Sequence, residues 1–193
     1  AYFYSDYKDI QLSIFTTIPN SNPPAFFGDF TNAGAATVQG VELELFGQLS
    51  ERWVLQGNLG FLDTEYDEYI TAGVNVADQQ KFTNAPEFSG ALSIQYIHPL
   101  ANGGEIRSRL GYSYQDKVYP TTDLSEAIAQ DGYGLWSGSV IWQVNDQWRV
   151  ALEGNNLADE EYRTTGYNIA ALGILTGFYG APRTVALTAS YQF

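Results

Sequence analysis

The sequence predicts an all-β chain of about eight antiparallel strands that form part of a transmembrane β-barrel. Three observations carry this. Stretches of alternating apolar and polar residues recur along the chain. The connections between them are alternately short and long. Aromatic residues gather near the ends of the stretches. The composition agrees: aromatics make up 15% of residues (Tyr 14, Phe 11, Trp 4) and charged residues only 16%, below the roughly 25% of soluble domains. The 19 glycines suit a chain with many turns. No run approaches the ~18 consecutive apolar residues of a membrane-spanning helix. A membrane crossing would therefore be made by strands, which satisfy their backbone groups in lipid only as a closed barrel.

The first strand is expected over Tyr2 to Thr17, opening on Tyr2-Phe3-Tyr4. The second covers Thr37 to Gly47, where Val41, Leu43 and Leu45 alternate with Glu42 and Glu44. Side chains two apart share a face, so the apolar and acidic sets separate. Gln48 to Arg52 is a short turn into the third strand, Trp53 to Tyr66, with Trp53, Leu55, Gly57, Leu59 and Phe61 on one face. The fourth, Phe88 to His98, sets Leu92, Ile94 and Tyr96 against Ala91, Ser93 and Gln95. Asn102-Gly103-Gly104 is a hairpin signal leading into the fifth, Ile106 to Gln115. There Ile106, Leu110, Tyr112 and Tyr114 oppose Arg107, Arg109, Ser113 and Gln115. The sixth runs from Tyr133 to Val144. Asn145-Asp146-Gln147 turns into the seventh, Trp148 to Asn156, with Trp148, Val150 and Leu152 against Arg149, Ala151, Glu153 and Asn155. The eighth, Thr184 to Phe193, sets Val185, Leu187, Ala189, Tyr191 and Phe193 against Thr184, Ala186, Thr188, Ser190 and Gln192.

The connections near 48–52, 99–105 and 145–147 are tight, and those near 18–36, 67–87, 116–132 and 157–183 are long and polar or Gly-rich. Bacterial outer-membrane barrels have this asymmetry, with short periplasmic turns and long extracellular loops. Trp53, Tyr96, Trp142, Trp148, Tyr191 and Phe193 lie beside the short turns, and Tyr4, Phe61, Tyr112, Tyr114 and Trp136 lie toward the long loops. Two aromatic belts separated by aliphatic residues are the pattern of a barrel held between two membrane interfaces. A soluble antiparallel sheet with one wet face shares the alternation but has no reason to carry two belts.

Charge and chemistry narrow the function. Nine Lys+Arg against 22 Asp+Glu, a net charge of -13, lacks the basic face of a nucleic-acid binder. The absence of cysteine excludes disulfide scaffolds and thiol catalysis. His98 is the single histidine and sits at a strand end before Pro99, so neither a Ser-His-Asp triad nor a histidine metal cluster is expected, and it reads as a surface or interface residue. Glu42 and Glu44 share a face but have no His or Ser beside them, so a structural role is expected rather than acid–base catalysis. Arg107, Arg109, Arg149 and Glu153 occupy the equivalent face of neighbouring strands. These six charges face the lumen in a barrel, either pairing with one another across the wall or anchoring a plug; an outward charge would cost ~2–4 kcal/mol at the bilayer midplane. Asp159-Glu160-Glu161 is expected to be a solvated loop start rather than a calcium site. Tyr119, Tyr133, Tyr162, Tyr167, Phe178 and Tyr179 place aromatics in the long loops, where they can meet a bulky ligand or pack the loops together. No catalytic, cofactor or metal residue is expected.

Five segments carry a resemblance. Tyr7-Lys8-Asp9-Ile10-Gln11-Leu12, Val38-Gln39-Gly40-Val41-Glu42-Leu43-Glu44-Leu45 and Asn84-Ala85-Pro86-Glu87-Phe88 resemble successive strand segments of TonB-dependent outer-membrane receptors. So do Gly154-Asn155-Asn156-Leu157-Ala158-Asp159-Glu160-Glu161-Tyr162 and Tyr179-Gly180-Ala181-Pro182-Arg183-Thr184. They occur in the family's order, and the chain ends on Phe193 as the family does. The resemblance implies that residues 1–193 are the C-terminal part of a 22-stranded type of barrel, with the plug domain and TonB box outside this chain. It implies active uptake of a large scarce nutrient, most often a ferric siderophore, energised through TonB, ExbB and ExbD. It also implies that Tyr191 and Phe193 form the signal read by the outer-membrane assembly machinery. An unpaired terminal strand edge suits such pairing. Two other readings are a complete small barrel of about eight strands with a structural or adhesion role and a soluble carbohydrate-binding sandwich. The chain opens directly on a strand without Met or a signal-peptide core, which points to a processed leader or to a longer protein.

Overall fold

A computed structural model describes residues 1–17, 21–22, 26–32, 34–71, 74–169 and 172–193. In chain order the strands are β1 (Tyr2–Lys8), β2 (Gln11–Thr17), β3 (Phe26–Asn32), β4 (Gly34–Gln48), β5 (Trp53–Thr71), β6 (Val74–Asn75), β7 (Phe88–Pro99), β8 (Glu105–Gln115), β9 (Tyr133–Gln143), β10 (Trp148–Asn155), β11 (Arg163–Ile169), β12 (Ile174–Tyr179) and β13 (Thr184–Tyr191). One 3-10 turn covers Ala77–Gln79. Eight strands form a single antiparallel wall in the order β1-β4-β5-β7-β8-β9-β10-β13, and β6 adds to β5. The ribbons β2-β3 and β11-β12 are separate. Among the described residues β1 and β13 pair on one side only, so the wall is an open sector with two free edges.

The short connections explain the register. At the β4–β5 turn the Ser50 hydroxyl accepts from the backbone N–H groups of Arg52 and Trp53, both at 3.2 Å. At the β7–β8 turn Gly103 adopts φ 85°, a conformation that costs glycine little. There Asn102 Oδ1 accepts from Gly104 N–H at 3.2 Å. At the β9–β10 turn Asn145 Oδ1 accepts from Gln147 and Trp148 N–H at 3.0 and 2.9 Å. In each case a short polar side chain takes over backbone donors that the ladder leaves unpaired. Because each turn is fixed, so is the pairing beyond it.

Three expectations change at the long-loop end. The single strand expected over Tyr2 to Thr17 is broken at Asp9, which has φ 56°, and residues 11–17 leave the wall to pair with β3. The third strand runs on past Tyr66 to Thr71: β5 pairs with β7 only over Trp53–Phe61, yet stays paired with β4 as far as Gly34↔Tyr69. The β4–β5 ribbon thus projects well beyond its neighbour. The connection near 157–183, expected as loop, contains the hairpin β11–β12. Parts of the 18–36 and 67–87 connections, and residues 170–171, lie outside the described residues.

The wall has no core of its own, because one sheet layer buries neither face. Fully buried apolar residues concentrate at the long-loop end: Ala36, Tyr66, Tyr69, Ile128 and Ala129, with Ala151 in β10. Tyr66 stacks on Phe82 at 4.4 Å and meets Tyr69 edge-on at 5.1 Å. These rings fasten the projecting ribbon to the connection that follows it.

Candidate functional site

Directly paired residues share a face, so the register separates the two surfaces. One row runs Trp53–Tyr96–Ser108–Val140–Leu152–Leu187 and the next Leu55–Ile94–Leu110–Gly138–Gly154–Val185. This is the apolar face. Leu43, Leu92, Leu110, Leu152, Val185 and Leu187 stand 47–73% exposed on it. Its aromatics pair across strands at both ends. Trp53–Tyr96 (4.6 Å) and Trp148–Tyr191 (4.9 Å) lie beside the short turns, and Phe61–Phe88 (4.9 Å) and Tyr112–Trp136 (4.7 Å) lie toward the long connections. Gly134 permits the second belt, because any Cβ there would collide with the Tyr112 ring. The eight residue steps from Trp53 to Phe61 span roughly 27 Å of strand, close to the ~25 Å apolar band of outer-membrane barrels.

The opposite face holds all six charges singled out in the sequence. Glu42 lies in the row with Gly60, Ser89 and Gln115, and Glu44 in the row with Asn58, Ala91 and Ser113. Arg109, Ser139 and Glu153 share a row, with Arg109 and Glu153 two strands apart. Arg107 opposes Ile141, and Arg149 opposes Gln143 and Ser190. Arg107 forms an ion pair with Glu105 at 2.5 Å, and Arg109 Nη2 donates to Ser93 Oγ at 2.9 Å. Among the described residues no ion pair joins Glu42, Glu44, Arg109, Arg149 or Glu153 to anything. Pairing of these charges within the wall, one of the two expected roles, is therefore confined to Arg107. Between Glu44 and Phe46 on one side and Arg109 on the other lies an open trough of about 600 Å³. Its floor is small and polar: Asn58, Ser93 and Ser137.

The long connections form a second unit in which, apart from Tyr119 and the acidic run at Glu160, the sequence did not single out the contacting residues. Arg163 Nη1 donates to the Ala127 carbonyl at 2.7 Å, its backbone N–H donates to Gln130 Oε1 at 2.7 Å, and Asn168 Nδ2 donates to Ser125 Oγ at 2.9 Å. Ile128, 1% exposed, fits against Gly166, where an added Cβ would stand 3.2 Å from it. The hairpin β11–β12 is thereby docked on the β8–β9 connection. Lys117 bonds Glu126 at 2.6 Å, and Tyr119 Oη donates to the other oxygen of Glu126 at 2.6 Å. These bonds hold the Glu126 carboxyl below its ordinary value, the Lys117 bond contributing most, and that same bond raises the Lys117 ammonium. Asn156 is buried at 5%. Its Nδ2 donates to the Glu160 and Ala181 carbonyls at 2.8 and 3.1 Å, and its Oδ1 accepts from Glu160 N–H at 2.8 Å. The local signal for this hub was Asn156 itself, a residue that tolerates its φ of 49°.

Of the loop aromatics, Tyr133 stacks on Tyr162 at 4.5 Å and so packs the connections together, while Tyr167, Phe178 and Tyr179 are exposed. Asp159 accepts from Arg183 N–H at 2.8 Å and lies 3.7 Å from its guanidinium. No cluster of three or more metal-ligating side chains occurs among the described residues. At the other end, Tyr191 pairs with Trp148 and meets Phe193 edge-on at 5.0 Å; Phe193 is fully exposed just beyond β13.

Comparison with known proteins gives a consistent result. The family described as TonB dependent receptor-like, beta-barrel, matches residues 1–157. The ferric-pyoverdine M114 receptor PbuA of Pseudomonas sp. (strain M114) is 26% identical over 163 residues, which is 84% of this chain and 19% of that protein. The pesticin receptor of Yersinia pestis is 25% identical over 195 residues, 100% of this chain and 26% of that protein. The crystal structure of the ferric yersiniabactin uptake receptor FyuA from Yersinia pestis shares the fold with a TM-score of 0.77 and 23% identity, covering 100% of this chain and 27% of that one. The chain thus spans between about a fifth and a quarter of the length of the curated relatives it matches.

Proposed function

The chain belongs to the TonB-dependent receptor β-barrel family, whose members are outer-membrane barrels of Gram-negative bacteria, and on that premise we propose that it is the C-terminal wall sector of an active-transport receptor. The nutrient is a ferric siderophore or a similar iron complex, and energy comes through TonB, ExbB and ExbD. The apolar face meets lipid. The polar face lines the lumen, and its charges hold a plug domain.

The observation that carries this reading is the set of charges on the polar face without ion-pair partners among the described residues. Glu42, Glu44, Arg109, Arg149 and Glu153 form no ion pair within the wall. Yet an uncompensated charge against protein is costly, so each needs a partner or water. A wide lumen filled by a separate domain supplies both. The trough between Glu44 and Arg109 presents opposite charges across a smooth floor, which suits a plug that must hold at rest and release under load. Tyr191 and Phe193, at the free edge of the last strand, are the contact offered to the assembly machinery.

The relatives support the cargo: one is named for ferric pyoverdine and a structural neighbour for ferric yersiniabactin. The test is uptake of radioactive iron chelates by iron-starved cells with and without the gene, in backgrounds with and without TonB. The reading expects accumulation that requires both. Accumulation indifferent to TonB, or no dependence on the gene for any chelate, would overturn it.

A further inference from the structure

We propose that the long-loop end of this chain selects for neutral or cationic iron complexes against the trianionic tris-catecholate class; this rests on the uptake reading above. The charge of the chain is not evenly spread. Sixteen of its 22 acidic residues and five of its nine basic residues lie in the long connections or in strand segments beyond the Phe61–Phe88 row, a net −11 of the total −13. The short-turn end and the apolar band together carry the remaining −2.

A second observation points the same way. An anionic chelate needs uncommitted guanidinium or ammonium groups, and here they are already engaged. Lys117 is held by Glu126 and Asp131 at 2.6 and 3.8 Å, Arg183 by Asp159 at 3.7 Å, and Lys81 by Glu87 at 3.9 Å. Arg163 is tied to the Ala127 carbonyl. Lys8 alone among the five cations of this end carries no such bond among the described residues. In contrast Glu65, Glu68, Asp78, Glu160 and Glu161 are exposed and have no cation in ion-pair range among the described residues.

Clustered charge of one sign at an entrance focuses a potential of several kT and changes the local concentration of charged solutes by tenfold or more. At physiological salt the field extends ~8 Å, the scale of one chelate. A trianion would meet that field with Lys8 as the one uncommitted cation of this end among the described residues. A cationic complex is drawn in and finds the exposed rings of Tyr167, Phe178 and Tyr179, whose faces attract positive charge.

The test uses the whole receptor as the only high-affinity iron receptor of an iron-starved strain. Three probes differ in charge: a linear ferric trihydroxamate with a free amine, a neutral cyclic ferric trihydroxamate, and a ferric tris-catecholate trianion. Binding and uptake of the first two should exceed those of the trianion by about tenfold or more, and added salt should weaken the cationic probe. The double variant Glu160→Lys, Glu161→Lys touches two side chains without ion-pair partners and should move the ratio toward the trianion by at least about threefold. Tightest binding of the trianion, or a ratio unchanged by the double variant, overturns the charge selection and leaves uptake standing. Failure to take up any of the three removes the uptake reading and this inference together.

Discussion

Asn156 and Lys117 show how single side chains set the loop architecture. Asn156→Ala removes two donors and one acceptor from part-buried hydrogen bonds to Glu160 and Ala181 and leaves a residue without a local hydrogen bond in the left-handed region. The lost part-buried hydrogen bonds and the left-handed backbone strain together cost about 1–3 kcal/mol. Urea unfolding of the receptor in detergent should show a loss of that size; unchanged stability would contradict the hub role. The Lys117–Glu126 pair predicts a pH dependence. The Glu126 carboxyl lies below its ordinary 4.5, so its contribution is present above that value and lost as pH falls through the lower, folded one. The Lys117 ammonium lies above its ordinary 10.5, so its contribution is present below that value and lost only as pH rises past the higher one. Hydrogen-exchange protection of residues 117–131, taken relative to the intrinsic exchange rate at each pH, should therefore be steady between about pH 5 and pH 10 and fall on acidification. Lys117→Met should flatten that acid response. A response identical in the variant would show that other groups control docking. The Lys117–Glu126 and Asn156–Ala181 contacts were not legible in advance, because they join residues 9 and 25 positions apart across loops with no periodic pattern.

At the level of the strands, alternation was enough to locate the eight wall strands, since a half-covered sheet forces apolar and polar residues to alternate. Val41-Glu42-Leu43-Glu44-Leu45 and Ile106 to Gln115 read directly from the sequence for that reason. Alternation says that a strand exists and not which strand it pairs with. Residues 11–17 are good strand formers that continue the first strand by pattern, yet Asp9 turns the chain out of the wall and β3 becomes the partner. The hairpin β11–β12 was missed because its Gly166 and Gly177 interrupt the apolar rhythm where packing against Ile128 and Arg163 requires small residues. The face assignment has a direct test. Leu187→Arg puts a charge in the row of Val140 and Leu152, and should impair insertion by ~2–4 kcal/mol where the row crosses the bilayer centre. Thr188→Arg enters the row of Ala151 and Ile141 on the polar face and should be tolerated better. Folding into lipid vesicles, followed by gel shift, compares the two. Equal tolerance would reverse or abolish the assigned orientation.

The described residues as a whole form an open sector with an apolar face, a polar face and most of the charge at one end. An eight-stranded barrel has an interior just filled by side chains. This wall instead presents a polar trough of about 600 Å³ and five charges without ion-pair partners among the described residues. Its edges, β1 and β13, are each paired on one side only among the described residues. Both features suit a sector of a wider barrel whose remaining strands and plug complete the pairing. The polar face could be identified in the sequence because lumen charges keep the strand period. What those charges hold could not, since Glu42, Glu44, Arg109, Arg149 and Glu153 have no ion-pair partner among the described residues. The most direct measurement is the intact mass of the native outer-membrane protein that carries this sequence. A mass several times 21.3 kDa is predicted, with plug and further strands accounting for the excess. A mass near 21.3 kDa would mean a self-contained small barrel and would contradict the transport account.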